Sequence, residues 1–216
     1  MPEAGPATDT DPIFAKIARR YDTLNKVMSF GQEQNWRRKG VAFLPPGRVL
    51  DLGSGTGAAL PVFGEREVVA LDPVREMLEL GPIDSKVVAY GEHLPFADGS
   101  FDGVFSAYVF RNLTSIPETL AEVHRVLRPG GHLVVIGLGR PPNPTAAKLH
   151  RLGSSVFLPT AGALIGASDE YRYLHESLDK LPPPEEMFEG HALTLDTVWR
   201  MGTLGFVYGA VLVKAG

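Results

Sequence analysis

The sequence predicts an α/β protein built on a mostly parallel, doubly wound sheet. Three observations carry this. Five short apolar runs alternate with helix-compatible stretches between residues 48 and 138, and such alternation implies a parallel sheet with helices on both faces. At the first crossover, VLDLGSGTG (49–57) runs from an apolar strand through an aspartate into a glycine loop. Two further strand-like stretches, 192–201 and 206–214, close the chain. Only a few residues separate them, so they form an antiparallel pair.

Taken in order, residues 1–11 are polar and expected to be disordered. Asp11-Pro12 supplies an N-cap acceptor and a proline at the first helical position. Ile13, Phe14, Ile17, Ala18, Tyr21, Leu24 and Met28 follow at helical spacing. A second helix is expected over about 32–43, completing a helical cap over 12–44, before Pro45-Pro46-Gly47 punctuates the chain. The sheet strands are expected at Arg48–Leu52, Glu67–Leu71, 86–90, Phe101–Ala107 and 132–138. The clearest helix between them is 117–127, with Leu120, Val123, Val126 and Leu127 on one face and Pro129-Gly130-Gly131 as its stop. Residues 139–190 lose the alternation and read as a lid insertion, with one helical piece around 148–157. The whole of 12–216 reads as one domain, with the core at 45–138 and the closing pair at 191–216.

Composition excludes several function classes. Apolar residues make up 44% of the 216 and charged residues 21%, which suits a globular chain with a substantial core. With no cysteine, disulfides, thiolate metal sites and cysteine nucleophiles are ruled out. The N-terminus lacks the apolar region of a signal peptide, and no run reaches the ~18 apolar residues that span a membrane, so a cytoplasmic protein is expected. A net charge of −4 gives no electrostatic basis for nucleic-acid binding. Residues 12–40 nonetheless carry Lys16, Arg19, Arg20, Lys26, Arg37, Arg38 and Lys39 against Asp22 and Glu33, a local +5. No histidine pair has zinc-like spacing with a third ligand, and no metal is expected.

The glycine loop fits the dinucleotide pattern as written, with Ala58 in its last position, and equally a loop for S-adenosylmethionine (SAM). Asp51 discriminates between them. A dinucleotide would place its pyrophosphate at the helix N-terminus beyond the loop. A carboxylate two residues before the first glycine repels that anion and attracts the ammonium of SAM. Asp72, ending the second strand 21 residues on, can accept ribose hydroxyls from either cofactor.

VLDLGSGTG, VVALDPVREML (68–78), LPFADGSFD (94–102) and EVHRVLRPGGHLVVI (122–136) resemble the class I SAM-dependent methyltransferases. IFAKIARRYDTLNKVMSFGQEQNWRR (13–38), FRNLTS (110–115) and YRYLHESL (171–178) narrow the resemblance to the ubiquinone/menaquinone biosynthesis C-methyltransferases, the UbiE type. The resemblance implies a Rossmann-like, doubly wound seven-stranded sheet with its last strand antiparallel. It also implies methyl transfer from SAM to a ring carbon of a prenylated quinol, leaving S-adenosylhomocysteine. On that pattern Gly53, Gly55, Thr56 and Gly57 surround the methionine part, Asp72 takes the ribose, and Gly91 lies against adenine. Asp51, Ser54, Pro73, Tyr90, Glu92 and Ala107 complete the expected cofactor shell. The chain departs from the family at three places: Tyr90 replaces an Asn or Asp, Ala107 a serine, and Gly137 an expected Glu.

Methyl transfer from a sulfonium needs positioning, exclusion of water, and a base or cation for the acceptor hydroxyl. Arg111 and Asn112, after the fourth strand, are the expected catalytic pair: Arg111 to stabilise a phenolate, Asn112 to hold water or a quinol oxygen. Tyr21, Asn25, Tyr171 and Tyr173 lie in the family stretches expected to cover the pocket. His93 and His150 are further candidate bases, whereas His124 reads as a solvated helix residue. The basic 12–40 segment is expected to serve as both lid and peripheral contact with an anionic membrane, at its inner face. A methyltransferase for another small molecule and a SAM-binding module without catalysis are the alternatives.

Overall fold

The computed structural model describes residues 29–165, 178, 179 and 181–216, and before them positions 12, 15, 18, 22, 23, 25 and 26; over 157–165 it describes the backbone alone. Residues 1–11, Tyr21, Tyr171, Tyr173 and His175 lie outside the described residues.

Seven strands form one sheet: β1 (Arg48–Leu52), β2 (Glu67–Leu71), β3 (Lys86–Val87), β4 (Phe101–Ala107), β5 (Leu127–Leu138), β6 (Thr194–Met201) and β7 (Val207–Val213), in the order 3-2-1-4-5-7-6. β1 to β5 pair in parallel, while β7 runs antiparallel to both β5 and β6, so the last strand alone is reversed. The expected fold class and closing pair are both borne out. The helices are α1 (Glu33–Val41), α2 (Arg75–Leu80), α3 (Ile116–Val126), α4 (Pro144–Ile165) and α5 (Pro184–Met187).

Strand residues alternate between the two faces. Leu50, Leu52, Val104, Leu133 and Val135 join Leu120, Val123 and Val126 of α3 on one side. Val49, Phe105, Val134 and Ile136 join Val41 of α1 and Phe63 on the other. Most of these side chains are fully buried, each worth ~1.5–3 kcal/mol of transfer free energy. α1 comes close to the sheet because Gly40 has no side chain: a Cβ there would sit 2.9 Å from Ile136 Cδ1 and 3.1 Å from Phe105 Cε2.

Three boundaries differ from expectation. The crossover after the glycine loop holds only a 3-10 turn, Leu60–Val62, with a proline at its start, and no α-helix. Gly53, Gly55, Gly57 and Gly64 all take positive φ there, which leaves too little chain to wind one. β3 stops at Val87 because its partner β2 ends at Leu71, opposite it, leaving 88–90 without a ladder partner. The helical piece expected at 148–157 extends over the whole of α4, while α3 and the earlier strands match closely.

Strand order reverses between β1 and β4, and a sheet of this kind opens a crevice at the carboxyl ends of those two strands. The loops leaving them touch. A Cβ on Gly53 would lie 2.2 Å from Val109 Cγ2, so only glycine permits the contact.

Candidate active site

A cleft opens at this reversal point. It is lined from β1 and its loop by Asp51, Gly53, Ser54, Gly55 and Thr56, from the end of β2 by Asp72 and Pro73, and beyond β3 by Tyr90, Gly91 and Glu92. Ala107 and Asn112 close it from the β4 side. Eleven of the twelve expected cofactor residues therefore meet in one place. The exception is Gly57, which turns the loop at φ +79°, where a Cβ would lie 2.7 Å from Leu60 Cδ1.

Asp72 ties the loop down. Its Oδ2 accepts from the Gly55 N–H and its Oδ1 from the Val74 N–H, both at 2.9 Å. Glu92 does similar work across the cleft, its Oε1 accepting from Thr114 N (2.9 Å) and Ser115 N (3.0 Å) at the start of α3. Thr56 Oγ1 donates to Asp22 Oδ1 at 2.6 Å, and Gln34 Nε2 donates to Ala58 O at 2.8 Å, so the N-terminal segment reaches over the glycine loop. Ala18 packs with Val74 and Met77 beside it.

Asp51 is only 2% exposed. Burial pushes its carboxyl up to about 7, against a partial downward pull from the Ser54 hydroxyl and the Arg37 guanidinium. Asp51 Oδ2 and Arg37 Nη1 are both buried without a hydrogen-bond partner. Such groups are costly to leave unpaired. A ligand carrying both an ammonium and a carboxylate satisfies them, whereas a pyrophosphate would leave the Asp51 carboxylate without a cation and finds no α-helix N-terminus beyond the loop. The residues present thus fit the amino-acid part of SAM.

A second cavity, of about 740 Å³, adjoins the first, and Tyr108 lines both. Tyr108 stands at φ +68°, an uncommon conformation for a side-chain-bearing residue, and its ring lies 5.4 Å from the Arg37 guanidinium carbon. Trp36, Leu138, Leu149, Leu178, Leu204 and Phe206 give this cavity a mainly apolar wall. The expected catalytic pair is divided: Arg111 faces the wide cavity and Asn112 the cofactor cleft. Asn25 and His150 also line the wide cavity, with His150 stacked on Phe206 at 5.2 Å and 3.3 Å from Arg140 Nη1. His93 is exposed and lines neither cavity, and His124 is half-buried on α3.

Three residues at these cavities were not expected from the sequence. Glu33 is 9% exposed, takes a hydrogen bond from Ser29 Oγ and is the carboxylate among the described residues lining the wide cavity. Arg37 is 4% exposed and lines the cleft, which removes it from the basic surface ascribed to 12–40. Tyr108 is the third. A sequence signal existed for the first two: Glu33, Arg37, Gly40 and Val41 form the i, i+4, i+7, i+8 stripe of one helix face. Among the described residues, no group of three or more acidic or histidine side chains could hold a metal ion.

Sheet order, reversed last strand and crevice together define the class I SAM-dependent methyltransferase fold. A SAM-dependent methyltransferase from Aquifex aeolicus superposes with a TM-score of 0.60 at 20% identity, over 92% of this chain and 97% of that one. A family model described as the ubiE/COQ5 methyltransferase family matches residues 6–193, and the chain belongs to that family. A demethylmenaquinone methyltransferase from Thermus thermophilus is 38% identical over 81% of this chain and 87% of its own length. A ubiquinone/menaquinone biosynthesis C-methyltransferase UbiE from Syntrophotalea carbinolica is 38% identical over 82% and 81%. The chain is accordingly a SAM-dependent methyltransferase.

Proposed function

We propose that this enzyme methylates a ring carbon of a prenylated quinol, of the demethylmenaquinol or ubiquinone-precursor type. The observation that carries the reading is the pair of adjoining cavities meeting at Tyr108, one carrying Arg37, Asp51, Asp72 and Glu92 and the other wide and mainly apolar. The names of the relatives agree with it.

In this reading Asp51, Gly53, Ser54, Gly55 and Thr56 hold the amino-acid part of SAM, with Gly57 shaping the turn. Asp72 and Pro73 hold the ribose, and Tyr90, Gly91, Glu92 and Ala107 flank the adenine. When bound, SAM supplies an activated methyl group and leaves as S-adenosylhomocysteine. The chain itself must place the quinol and manage its protons. Glu33 accepts the hydroxyl proton, and Arg111 stabilises the phenolate that results, which makes the neighbouring ring carbon nucleophilic. Asn112, on the cleft side, orients a quinol oxygen or water. As the C–C bond forms and the S–CH3 bond breaks, the proton on that carbon leaves and restores aromaticity, and Glu33 returns the hydroxyl proton, so one net proton is released per turnover. Residues 12–44 act as the cap and 139–190 as the lid that excludes water.

Labelled SAM offered with a panel of demethylmenaquinol and ubiquinone precursors should yield methylated quinol. Methylation of other acceptors alone, or binding without turnover, would displace the reading. Glu33→Gln is expected to lower kcat by about 10²-fold or more, with SAM affinity unchanged. A variant with undiminished kcat would take the proton-accepting role away from Glu33.

The acceptor lives in lipid, and the mouth of the wide cavity suits a lipid surface. Phe30, Leu149 and Leu204 line it yet stand 80%, 61% and 44% exposed, with Leu152 and Val156 exposed beside Leu149 on α4. Lys26, Arg38 and Lys39 are exposed on the N-terminal segment. Among the described residues no helix is long and apolar enough to cross a membrane, so contact in this reading is peripheral. Co-sedimentation with anionic phospholipid vesicles should weaken with salt and with Leu149→Ser/Leu152→Ser. Equal binding to neutral vesicles would remove the electrostatic part of the idea.

A further inference from the structure

We infer that Arg37 is the recognition residue for the α-carboxylate of SAM, paired with Asp51 as the partner of its ammonium. The inference rests on the cofactor reading of the cleft and deepens it.

Arg37 lies among three consecutive basic residues, Arg37, Arg38 and Lys39, two of which are exposed. Only Arg37 turns inward, on the face of α1 that also presents Gly40 and Val41 to the sheet. It lines the cofactor cleft at 4% exposure, and its guanidinium rests over the Tyr108 ring. That cation–π contact helps hold the side chain in place without giving Nη1 an acceptor. Nη1 has no hydrogen-bond partner, nor does Asp51 Oδ2 in the same cleft. A buried guanidinium with an unused donor is expensive to maintain unless a ligand pairs it.

The two orphaned groups are of opposite sign, and together they complement an amino-acid zwitterion. An ammonium falls to Asp51, and a carboxylate falls to the Arg37 guanidinium, whose Nη1 has a donor to offer. Arg37 also explains how one cleft serves both ends of the zwitterion. Asp51 and Asp72 alone would repel the carboxylate.

The test is calorimetric binding to the whole chain of three ligands: S-adenosylhomocysteine, its decarboxylated counterpart, and 5′-methylthioadenosine. Arg37→Met should weaken S-adenosylhomocysteine by about 10–100-fold and leave the other two within about twofold. Arg37→Lys should recover part of the loss, since it keeps the charge but not the guanidinium's reach and donor geometry. Retained binding of 5′-methylthioadenosine shows that the variant is folded and its adenosine site intact. Unchanged affinity for S-adenosylhomocysteine in Arg37→Met would overturn the inference, as would an equal loss for all three ligands. Failure of the unmodified chain to bind S-adenosylhomocysteine at all would overturn the cofactor reading, and the inference with it.

Discussion

Asp51→Asn is expected to stabilise the ligand-free protein at pH 8 by up to about 4 kcal/mol while weakening SAM binding by about 10–100-fold. The gain follows from burial. Asp51 titrates near 3.8 in an unfolded chain and near 7 in the folded one, because desolvation of the carboxylate outweighs the help of Ser54 and Arg37. A carboxyl whose folded value is raised contributes stability that is fully present below pH 3.8 and is lost as pH climbs towards 7. Three pH units at ~1.4 kcal/mol each set the scale. Asparagine has the same shape and carries no charge to desolvate, so the advantage of the variant should grow between pH 4 and 7 and level off above. Denaturant melts of both proteins at pH 5 and pH 8 check this; an equal gap at the two values would contradict the buried titration. Binding should move the opposite way. SAM prefers the ionised carboxylate, so its affinity for the unsubstituted protein should fall below about pH 7, by at most about tenfold per unit, and should be flat for Asp51→Asn. The cleft thus stores a destabilising charge that its cofactor relieves.

The parts of this site visible in the sequence are those fixed by local chain geometry. Glycines at 53, 55 and 57 are needed because the backbone takes positive φ there, and Asp51 and Asp72 sit at strand ends that apolar runs mark out. Such signals occupy a few adjacent residues. Arg37, Glu33 and Tyr108 are different in kind. Charged residues at 33 and 37 occupy the inward stripe of α1, where a pattern rule expects apolar ones. They face inward because they border two cavities rather than a packed core. Polarity therefore disguised the buried face as solvent, and the local +5 drew Arg37 into a surface role that the fold does not give it. The missing helix after the glycine loop has a similar origin. Its residues are compatible with a crossover, yet α1 already packs on that face against Val134 and Ile136 through Val41.

Gly137→Ala is expected to cost about 1–3 kcal/mol, and Gly137→Glu, which restores the residue expected from the family pattern, considerably more. Gly137 pairs across the β5–β7 ladder with Tyr208. A Cβ at 137 would lie 2.1 Å from Tyr208 Cζ and 2.2 Å from its hydroxyl oxygen. Tyr208 is 3% exposed, and burial raises its phenol well above the usual range, so its ring has little room to retreat. Glutamate would add an unpaired buried charge to the overlap. Gly137 lines neither cavity, so its contact with Tyr208 offers a packing reason for the departure from the family pattern, set against a change of acceptor. The two explanations separate in a double-mutant cycle. If packing is the reason, Gly137→Ala and Tyr208→Ala should be coupled, with the pair less destabilised than the sum of the single changes. Additive losses, or a Gly137→Ala protein of normal stability that methylates a different acceptor, would instead make position 137 a determinant of substrate choice.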